Sequence, residues 1–271
     1  MALSINTNAG AMIGLQSLKK INTMLGTTQL RITTGLRING PKDDAATFAI
    51  AQNMRAAVAG TVAVTTNLAL GKSIVSVAID AGVSIADLLS EIKAKSVQAS
   101  QEGLGADSYV ALNDDFISLR DQINSVVASA EFGGKNLIKS GASSHVVLST
   151  MDGSTITVSA QQIQPVNLGF SAIDVATAAN ASAALIVVDA AITTVSSSLA
   201  AFGAAAKRID IQMSFTAKLM DVLKQGVANL VDADLAEESA NLQAHKIRQQ
   251  LGIQALAIAN AGPQSFMQLF T

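Results

Sequence analysis

Residues 185–230 decide the fold, and they read LIVVDAAITTVSSSLAAFGAAAKRIDIQMSFTAKLMDVLKQGVANL. Apolar side chains recur here at alternating steps of three and four, which is the spacing of one face of a long helix in a coiled coil. This face consists of Leu185, Val188, Ile192, Val195, Leu199, Phe202, Ala206, Ile209, Met213, Thr216, Met220, Leu223, Val227 and Leu230. A helix of this length cannot bury such a face on itself, so it requires partner helices.

A second long helix is predicted upstream. The same spacing runs from Ile50 to Ala99, which predicts a helix of about fifty residues with a coiled-coil seam. We expect it to begin near Pro41 and to end around residues 102–105. Gly71 and Gly82 lie on its apolar face and predict that another backbone approaches there.

A third, shorter helix is predicted from Tyr109 to Ala130. Asp107 is its expected N-cap, and Gly133-Gly134 its expected end. For the 185–230 helix, Asp174 or Asn180 is the expected N-cap. The three helices together predict an elongated bundle.

Strand character is confined to residues 137–170. Val146, Leu148 and Thr150 alternate before Asp152-Gly153, and Ile156 and Val158 alternate after it. Asp-Gly between alternating segments is typical of a β-hairpin. We therefore expect a small β element attached to one end of a mainly α bundle.

Composition excludes several classes of function. Charged residues make up 14% of the chain, against a usual share of about 25%, and the net charge is −2. Neither nucleic acid nor an acidic membrane is expected as a partner. The chain has no Cys, which excludes disulfides, thiol catalysis and cysteine zinc sites. The N-terminus has no Sec-type pattern, and no uninterrupted apolar run of about 18 residues predicts a membrane span.

Both chain ends are predicted to be amphipathic helices that pair with each other as a coiled coil. The N-terminal stripe is Ala11, Leu15, Leu18, Asn22, Leu25, Gln29, Ile32 and Leu36, and the C-terminal stripe is Ala240, Ala244, Ile247, Leu251, Gln254, Ile258 and Ala261. Asp234 and Glu237 resemble a capping box at the start of the C-terminal helix, and Gly262-Pro263 is its expected end.

The terminal helices are marginal as an isolated pair. Each large apolar side chain contributes roughly 1.5–3 kcal/mol when buried, while ordering the backbone costs about 1–2 kcal/mol per residue. We therefore expect the ends to be disordered in the monomer and to become ordered when they bury against copies of the same chain.

No catalytic, cofactor or metal site is predicted. The two histidines, His145 and His245, lie far apart without a partner, and the paired acids are best interpreted as helix starts and solvated faces. Gly71-Lys72-Ser73 lacks the glycine spacing of a phosphate-binding loop. Asp43 and Asp44, close in sequence to basic residues of the same segment, are candidates for ion pairs between subunits.

Two signatures at opposite ends of the chain make it recognisable. Residues 31–46 (RITTGLRINGPKDDAA) and 5–8 (INTN) closely resemble the N-terminal segment of bacterial flagellins. Residues 132–137 (FGGKNL), 232–237 (DADLAE), 249–250 (QQ) and 259–264 (ANAGPQ) are similar to later segments of the family. The resemblance covers about residues 1–140 and 172–271.

The resemblance implies a subunit that self-assembles into the flagellar filament, in a short form without outer domains. It implies an inner domain of residues 1–34 with 235–271, linkers 35–44 and 230–234, a bundle domain of 45–135 with 175–229, and the β element at 136–174. The implied polymerisation residues are Leu15, Leu18, Leu25, Ile32, Ile247, Leu251, Ile258 and Leu269. The implied linker and inter-subunit residues are Gly35, Arg37, Asn39, Asp43, Asp44, Asp232 and Asp234.

The resemblance also implies partners and a location. The chain is expected to leave the cell without a Sec signal through the flagellar type III export apparatus, with an export chaperone on its C-terminal helix. It is then expected to reside in the extracellular filament beside cap and junction proteins, with no cofactor. The alternatives are a hook–filament junction protein, which shares the terminal helices, and a monomeric helical binding module or enzyme.

The sequence departs from the family at two places. Asn229 stands where many flagellins have an Arg. Glu91, Ala94 and Lys95 stand where flagellins of enteric type usually have an Arg, an acid and a Leu in the segment that engages the innate immune receptor for flagellin. We expect weak signalling through that receptor.

Overall fold

A computed structural model describes residues 7–267, and their side chains from 7 to 261. Within this range the chain is mainly α-helical with one β-hairpin, as predicted. The elements in chain order are α1 Ala9–Thr34, α2 Ala45–Ala99, α3 Ala106–Ser129, β1 His145–Leu148, β2 Thr155–Val158, α4 Ala178–Val231 and α5 Leu235–Met267.

The chain divides into two compact units. The central unit is Ala57–Asp221, and the terminal unit comprises residues 1–56 and 222–271, described here from 7 to 267. The two long helices α2 and α4 run through both units. Most of α2 and α4, together with α3 and the hairpin, belongs to the central unit.

One apolar core holds the central unit together. It takes residues from α2, α3 and α4, and its largest fully buried side chains include Leu68, Ile85, Phe116, Phe202 and Ile209. These residues lie on the faces that the three-four spacing predicted, so the expected three-helix bundle is confirmed.

The β-hairpin covers part of this core. Strands β1 and β2 are antiparallel, with His145 opposite Val158 and Leu148 opposite Thr155. Gly153 has a φ of +88° in the connecting turn, a conformation that glycine adopts without strain. Val147 and Ile156 turn inward, so the Asp-Gly hairpin prediction is confirmed.

The glycines of α2 receive side chains from other elements rather than a backbone, which corrects the prediction. A Cβ on Gly71 would lie 2.5 Å from Cγ2 of Val147, and one on Gly82 would lie 2.8 Å from Cδ2 of Leu199. Gly60 is similarly covered by Sδ of Met151 in the hairpin turn. These positions let the hairpin and α4 approach the α2 backbone.

Two predicted N-caps are wrong. Helix α3 begins after Gly105 rather than at Asp107. At the start of α4, the hydroxyl of Thr177 accepts a hydrogen bond from the Asn180 amide at 3.2 Å. Asp174 instead accepts hydrogen bonds from the Ala176 amide and the Asn180 side chain, so it organises the preceding turn.

Other predicted helix bounds also shift. Helix α2 begins at Ala45, because Pro41 lies in a preceding turn and Asp44 supplies the cap. Helix α3 already ends at Ser129, before Gly133-Gly134. Helix α5 continues beyond Gly262-Pro263 to Met267, so the predicted stop there is wrong.

Helices α2 and α4 contain, among the described residues, stretches long and apolar enough to cross a membrane by length and composition alone. Core helices of other proteins meet the same criterion, so this is weak evidence for a membrane span. In α4 only 28% of that stretch is buried, against 44% in α2. Much apolar surface of α4 is therefore uncovered in the single chain.

Candidate assembly interface

Helices α1 and α5 form an antiparallel pair. At one end, Nδ2 of Asn8 donates to the carbonyl of Ala259 at 2.8 Å. At the other end, Nη1 of Arg31 contacts Oε1 of Glu238 at 2.8 Å. The pairing that was expected for the two terminal helices is thus present within one chain.

The seam between these helices follows a heptad pattern on both sides. In α1 it consists of Ala11, Gly14, Leu18, Ile21, Leu25, Thr28 and Ile32; in α5 it consists of Glu238, Leu242, His245, Gln249, Gly252, Leu256 and Ala259. Leu256 packs over Gly14, and Leu18 packs over Gly252. Small residues therefore allow close approach of the helices.

Polar groups interrupt this seam. Nε2 of Gln249 donates to Oδ1 of Asn22 at 2.7 Å, and Glu238 is only 7% exposed beside Arg31. Nδ1 of His245 is buried without a hydrogen-bond partner among the described residues. Polar pairs of this kind fix the register of a coiled coil at some cost in stability.

Several large apolar residues of α5 face away from α1. Ile247, Leu251 and Ile258 are 57%, 58% and 75% exposed, and they lie about half a turn from the seam at 100° per residue. Leu15 of α1 is 58% exposed. These four predicted polymerisation residues are therefore uncovered in the single chain.

The other predicted polymerisation residues have different positions. Leu18, Leu25 and Ile32 are half-buried in the α1–α5 seam, so in the single chain they contact the paired helix. Leu269 lies outside the described residues.

Sequence reasoning missed several exposed apolar residues of the same pair. Met12 and Ile13 are 66% and 65% exposed, and Ile253 is also exposed. A groove of about 390 Å³ opens between the start of α1 and the last turns of α5, beside Met12 and Leu256. Met12 and Ile13 could have been found on a helical wheel of α1 that counts methionine as apolar and includes residues beside the predicted stripe.

The predicted linkers are joined by backbone hydrogen bonds. Gly35, with a φ of +71°, ends α1, and its carbonyl accepts from the Ala233 amide at 2.9 Å. The amides of Arg37 and Ile38 both donate to the carbonyl of Val231, at 2.7 and 3.3 Å. Nη2 of Arg37 also donates to the carbonyl of Leu230 at 2.8 Å.

A small second core closes the linker region. Ile38 and Val231 are 3% and 1% exposed, and they pack with Ala51 of α2 and with half-buried Phe48 and Leu36. The sequence indicated this region only through its family resemblance, because a core this small has no periodicity of its own.

Asp43 and Asp44 bind amides within their own chain. Oδ2 of Asp43 accepts from the amides of Asn39 and Gly40. Asp44 caps α2 through the amides of Ala46 and Thr47, and its Oδ2 accepts from the Thr47 hydroxyl at 2.6 Å. This hydroxyl bond, more than any other group, lowers the pKa of Asp44.

The second linker ends in the predicted cap. Oδ1 of Asp234 accepts from the amides of Ala236 and Glu237 at the start of α5. The backbone of Asp232 pairs with Leu36 in an isolated antiparallel bridge, and its side chain is exposed. The structure thus brings Gly35, Arg37 and Asp232 together and gives Asp43, Asp44 and Asp234 structural partners.

The divergent receptor segment lies on α2 in the central unit. Glu91 and Ala94 are exposed. Nζ of Lys95 contacts Oδ2 of Asp115 on α3 at 2.5 Å. The segment is therefore accessible at its first two divergent positions, while the third binds a neighbouring helix.

Residues 7–267 contain no group of three or more His, Cys, Asp or Glu side chains placed to hold a metal ion. The exposed apolar surface of α1 and α5 and the joined linkers are the prominent features of the terminal unit, and they are suited to association rather than to chemistry.

Comparison with known proteins gives the family. The bacterial flagellin N-terminal helical region matches residues 5–142, and the C-terminal helical region matches residues 185–270. Flagellin FljK of Caulobacter vibrioides is 43% identical over 272 residues, covering 100% of both chains. Flagellin C of Rhizobium meliloti is 36% identical over 321 residues, covering 98% of this chain and 99% of the relative.

Two solved structures share the fold. Bacillus cereus flagellin has a TM-score of 0.51 at 20% identity, over 55% of this chain and 88% of that one. A putative flagellar hook-associated protein from Vibrio parahaemolyticus has a TM-score of 0.59 at 17% identity, over 70% and 100%. The latter likeness shows the fold alone and does not favour a junction protein. The full-length relatives and both terminal regions place this chain in the bacterial flagellin family, as a structural, non-enzymatic subunit of the self-assembling extracellular filament of the flagellum.

Proposed function

We propose that this subunit polymerises by burying the outer face of the α1–α5 pair against other copies. The supporting observation is the exposure of Leu15, Ile247, Leu251 and Ile258, which all belong to helices already paired through a different face. The single chain leaves these apolar side chains in water, and a group of exposed large apolar side chains marks an association site.

The magnitudes favour association. Each of these side chains contributes roughly 1.5–3 kcal/mol when fully buried. The seam, by contrast, has Gly252, Gln249 and His245 at three of its α5 positions instead of large apolar groups. Neighbouring copies then supply stability that the seam alone lacks.

Residues 1–34 with 235–271 act in this proposal as the inner domain of the filament. Residues 35–44 and 230–234 serve as linkers to a bundle domain of 45–135 with 175–229, which carries the β element at 136–174. The hydrogen bonds from Arg37 and Ile38 to Val231 support the linker role, because they hold the two linker segments together.

The proposal includes the route to the filament. The chain leaves the cell through the flagellar type III apparatus, and an export chaperone covers the apolar outer face of α5. Cap and junction proteins contact the assembled subunits. The 57–75% exposure of the apolar α5 residues supports the need for such a cover before assembly.

Replacement of one outer residue tests the assembly role. In Leu251→Asp, we expect the central unit to keep its helix content while filaments fail to form, because a charge would be buried between copies. Leu251→Met is the matched control, since methionine is also apolar and of similar volume. Seeded sedimentation and electron microscopy measure polymerisation, and circular dichroism measures folding. Normal filaments from Leu251→Asp would contradict the proposal.

A further inference from the structure

The central unit carries two outward helix faces of opposite charge. On α3, Asp107, Asp114 and Asp121 recur every seven residues and are exposed. Each heptad step returns to nearly the same side of a helix, so the three carboxylates form one stripe. Asp114 and Asp107 form no ion pair within the described residues, and Asp121 has only a 3.7 Å contact with Arg120.

The opposite charge lies on α4. Lys207, Arg208 and Lys218 are exposed beside Ile211 and Phe215, which are 61% and 57% exposed. At 100° per residue these five positions lie on one side of the helix. None of the three cations forms an ion pair among the described residues, although at the edge of this face Asp210 binds Lys72.

Both faces point away from the same core. Phe116 and Ile123, two residues beyond Asp114 and Asp121, are fully buried, and two residues correspond to about 200° around a helix. On α4, Ile209 is buried next to Lys207 and Ile211 in the same way. Because each face lies opposite its helix's contact with the shared core, one copy cannot join its own two faces.

We propose that the basic apolar face of α4 (Lys207, Arg208, Ile211, Phe215 and Lys218) binds the acidic stripe of α3 (Asp107, Asp114 and Asp121) of a second copy. Two different patches that join head to tail give an open chain of subunits rather than a closed dimer. The charges select the partner face and its orientation, and Ile211 and Phe215 supply apolar contact at the centre. This inference rests on the proposed function, since it adds a second contact between copies to that of the terminal helices.

Charge reversal on each face tests the pairing. The α4 variant is Lys207→Glu with Lys218→Glu, and the α3 variant is Asp114→Lys with Asp121→Lys. Each alone presents like charges across the contact, so we expect its critical concentration for polymerisation to rise about tenfold or more. In an equimolar mixture, a chain in which the two variants alternate has opposite charges at every α3–α4 contact. We therefore expect the critical concentration of the mixture to return close to that of the unchanged protein.

Lys135→Glu with Lys139→Glu is the matched control. Both lysines are exposed outside the two faces, and the double change alters net charge as much as the α4 variant does. We expect the control to polymerise normally. We also expect added salt to reduce the difference in critical concentration between each charge-reversed variant and the control, because exposed charges are screened beyond about 10 Å at 0.1 M salt.

The outcomes distinguish failure of the α3–α4 pairing from failure of the proposed function. If either variant polymerises like the control, or the mixture is no better than its components, the pairing of α3 with α4 is wrong. Binding of heparin by the unchanged α4 face in that case would assign the face to an anionic partner. The proposed role of the terminal helices fails by a different result, namely normal filaments from Leu251→Asp or no filaments from the unchanged protein.

Discussion

Val147 of strand β1 lies directly over Gly71 of helix α2. A Cβ at position 71 would be 2.5 Å from Cγ2 and 2.9 Å from Cγ1 of Val147, which is 2% exposed. Because valine is branched at Cβ, neither methyl group can turn away while the other remains in place. The close packing of the hairpin on α2 therefore requires a residue without a side chain at position 71.

Gly71→Ala is expected to destabilise the central unit by about 1–3 kcal/mol, because overpacking outweighs the gain in helix propensity. Gly203→Ala is the matched control within α4, where an added Cβ meets nothing within 4 Å. We expect that change to stabilise the helix by up to about 1 kcal/mol. Urea unfolding of both variants checks the prediction, and equal stabilisation by both would show that the hairpin adapts without cost.

Removal of one partner from the Arg31–Glu238 pair is expected to weaken the terminal pair. Glu238 is 7% exposed, so Arg31→Met would leave a largely buried carboxylate without its cation. The expected loss is about 1–2 kcal/mol, because Arg31 is one-third exposed and water screens part of the interaction. Hydrogen exchange of α1 and α5 amides measures the effect.

The double change Arg31→Met with Glu238→Leu is the control for that prediction. Two apolar groups replace the pair, and the loss is expected to be smaller than for Arg31→Met alone. A larger loss in the double variant would mean that the pair itself contributes net stability.

The β-hairpin is expected to lose stability in mild acid. Partial burial, together with Lys135, lowers the pKa of His145 below its ordinary value of 6.5. The folded hairpin thus favours neutral imidazole, so its contribution is complete above pH 6.5 and declines as the pH falls through the lower folded pKa. Amide exchange of residues 145–158 between pH 7.5 and 5 tests this, and His145→Gln should remove the dependence.

Signalling through the innate immune receptor for flagellin is expected to be weak. Glu91 replaces the Arg usual in enteric flagellins, which reverses a charge, and Lys95 replaces a Leu and is held by Asp115. Each change should cost about 1 kcal/mol or more at an interface. A reporter-cell assay of the monomer checks this, with Glu91→Arg expected to raise potency. Potency equal to that of an enteric flagellin would refute the prediction.

The long helices were predictable because their cores obey a simple period. The faces from Ile50 to Ala99 and from Leu185 to Leu230 agree with α2 and α4, and the Asp152-Gly153 turn agrees with the hairpin. Helix ends were less predictable. Asp107 has the right chemistry for a cap, yet the chain enters α3 at Gly105, where only backbone conformation marks the start.

The face of α5 that packs within the chain was not predictable from hydrophobicity. Its seam contains Glu238, His245, Gln249 and Gly252, whereas the stronger apolar stripe points outward. A rule that buries the most apolar face selects the side of Ile247, Leu251 and Ile258, which the single chain leaves exposed. The intrachain seam becomes evident only when Gly252 is matched with Leu18 across the pair.

The two linker segments run in opposite directions and are hydrogen-bonded to each other, which has a mechanical consequence. The chain passes between the terminal pair and the long helices once in each direction, and Gly35, Arg37 and Ile38 tie the outgoing path to Val231 and Ala233 on the return path. A pull on one path is therefore shared with the other through several main-chain bonds. In a rotating filament, two linker segments joined in this way resist torque, whereas two unconnected segments would wind around each other.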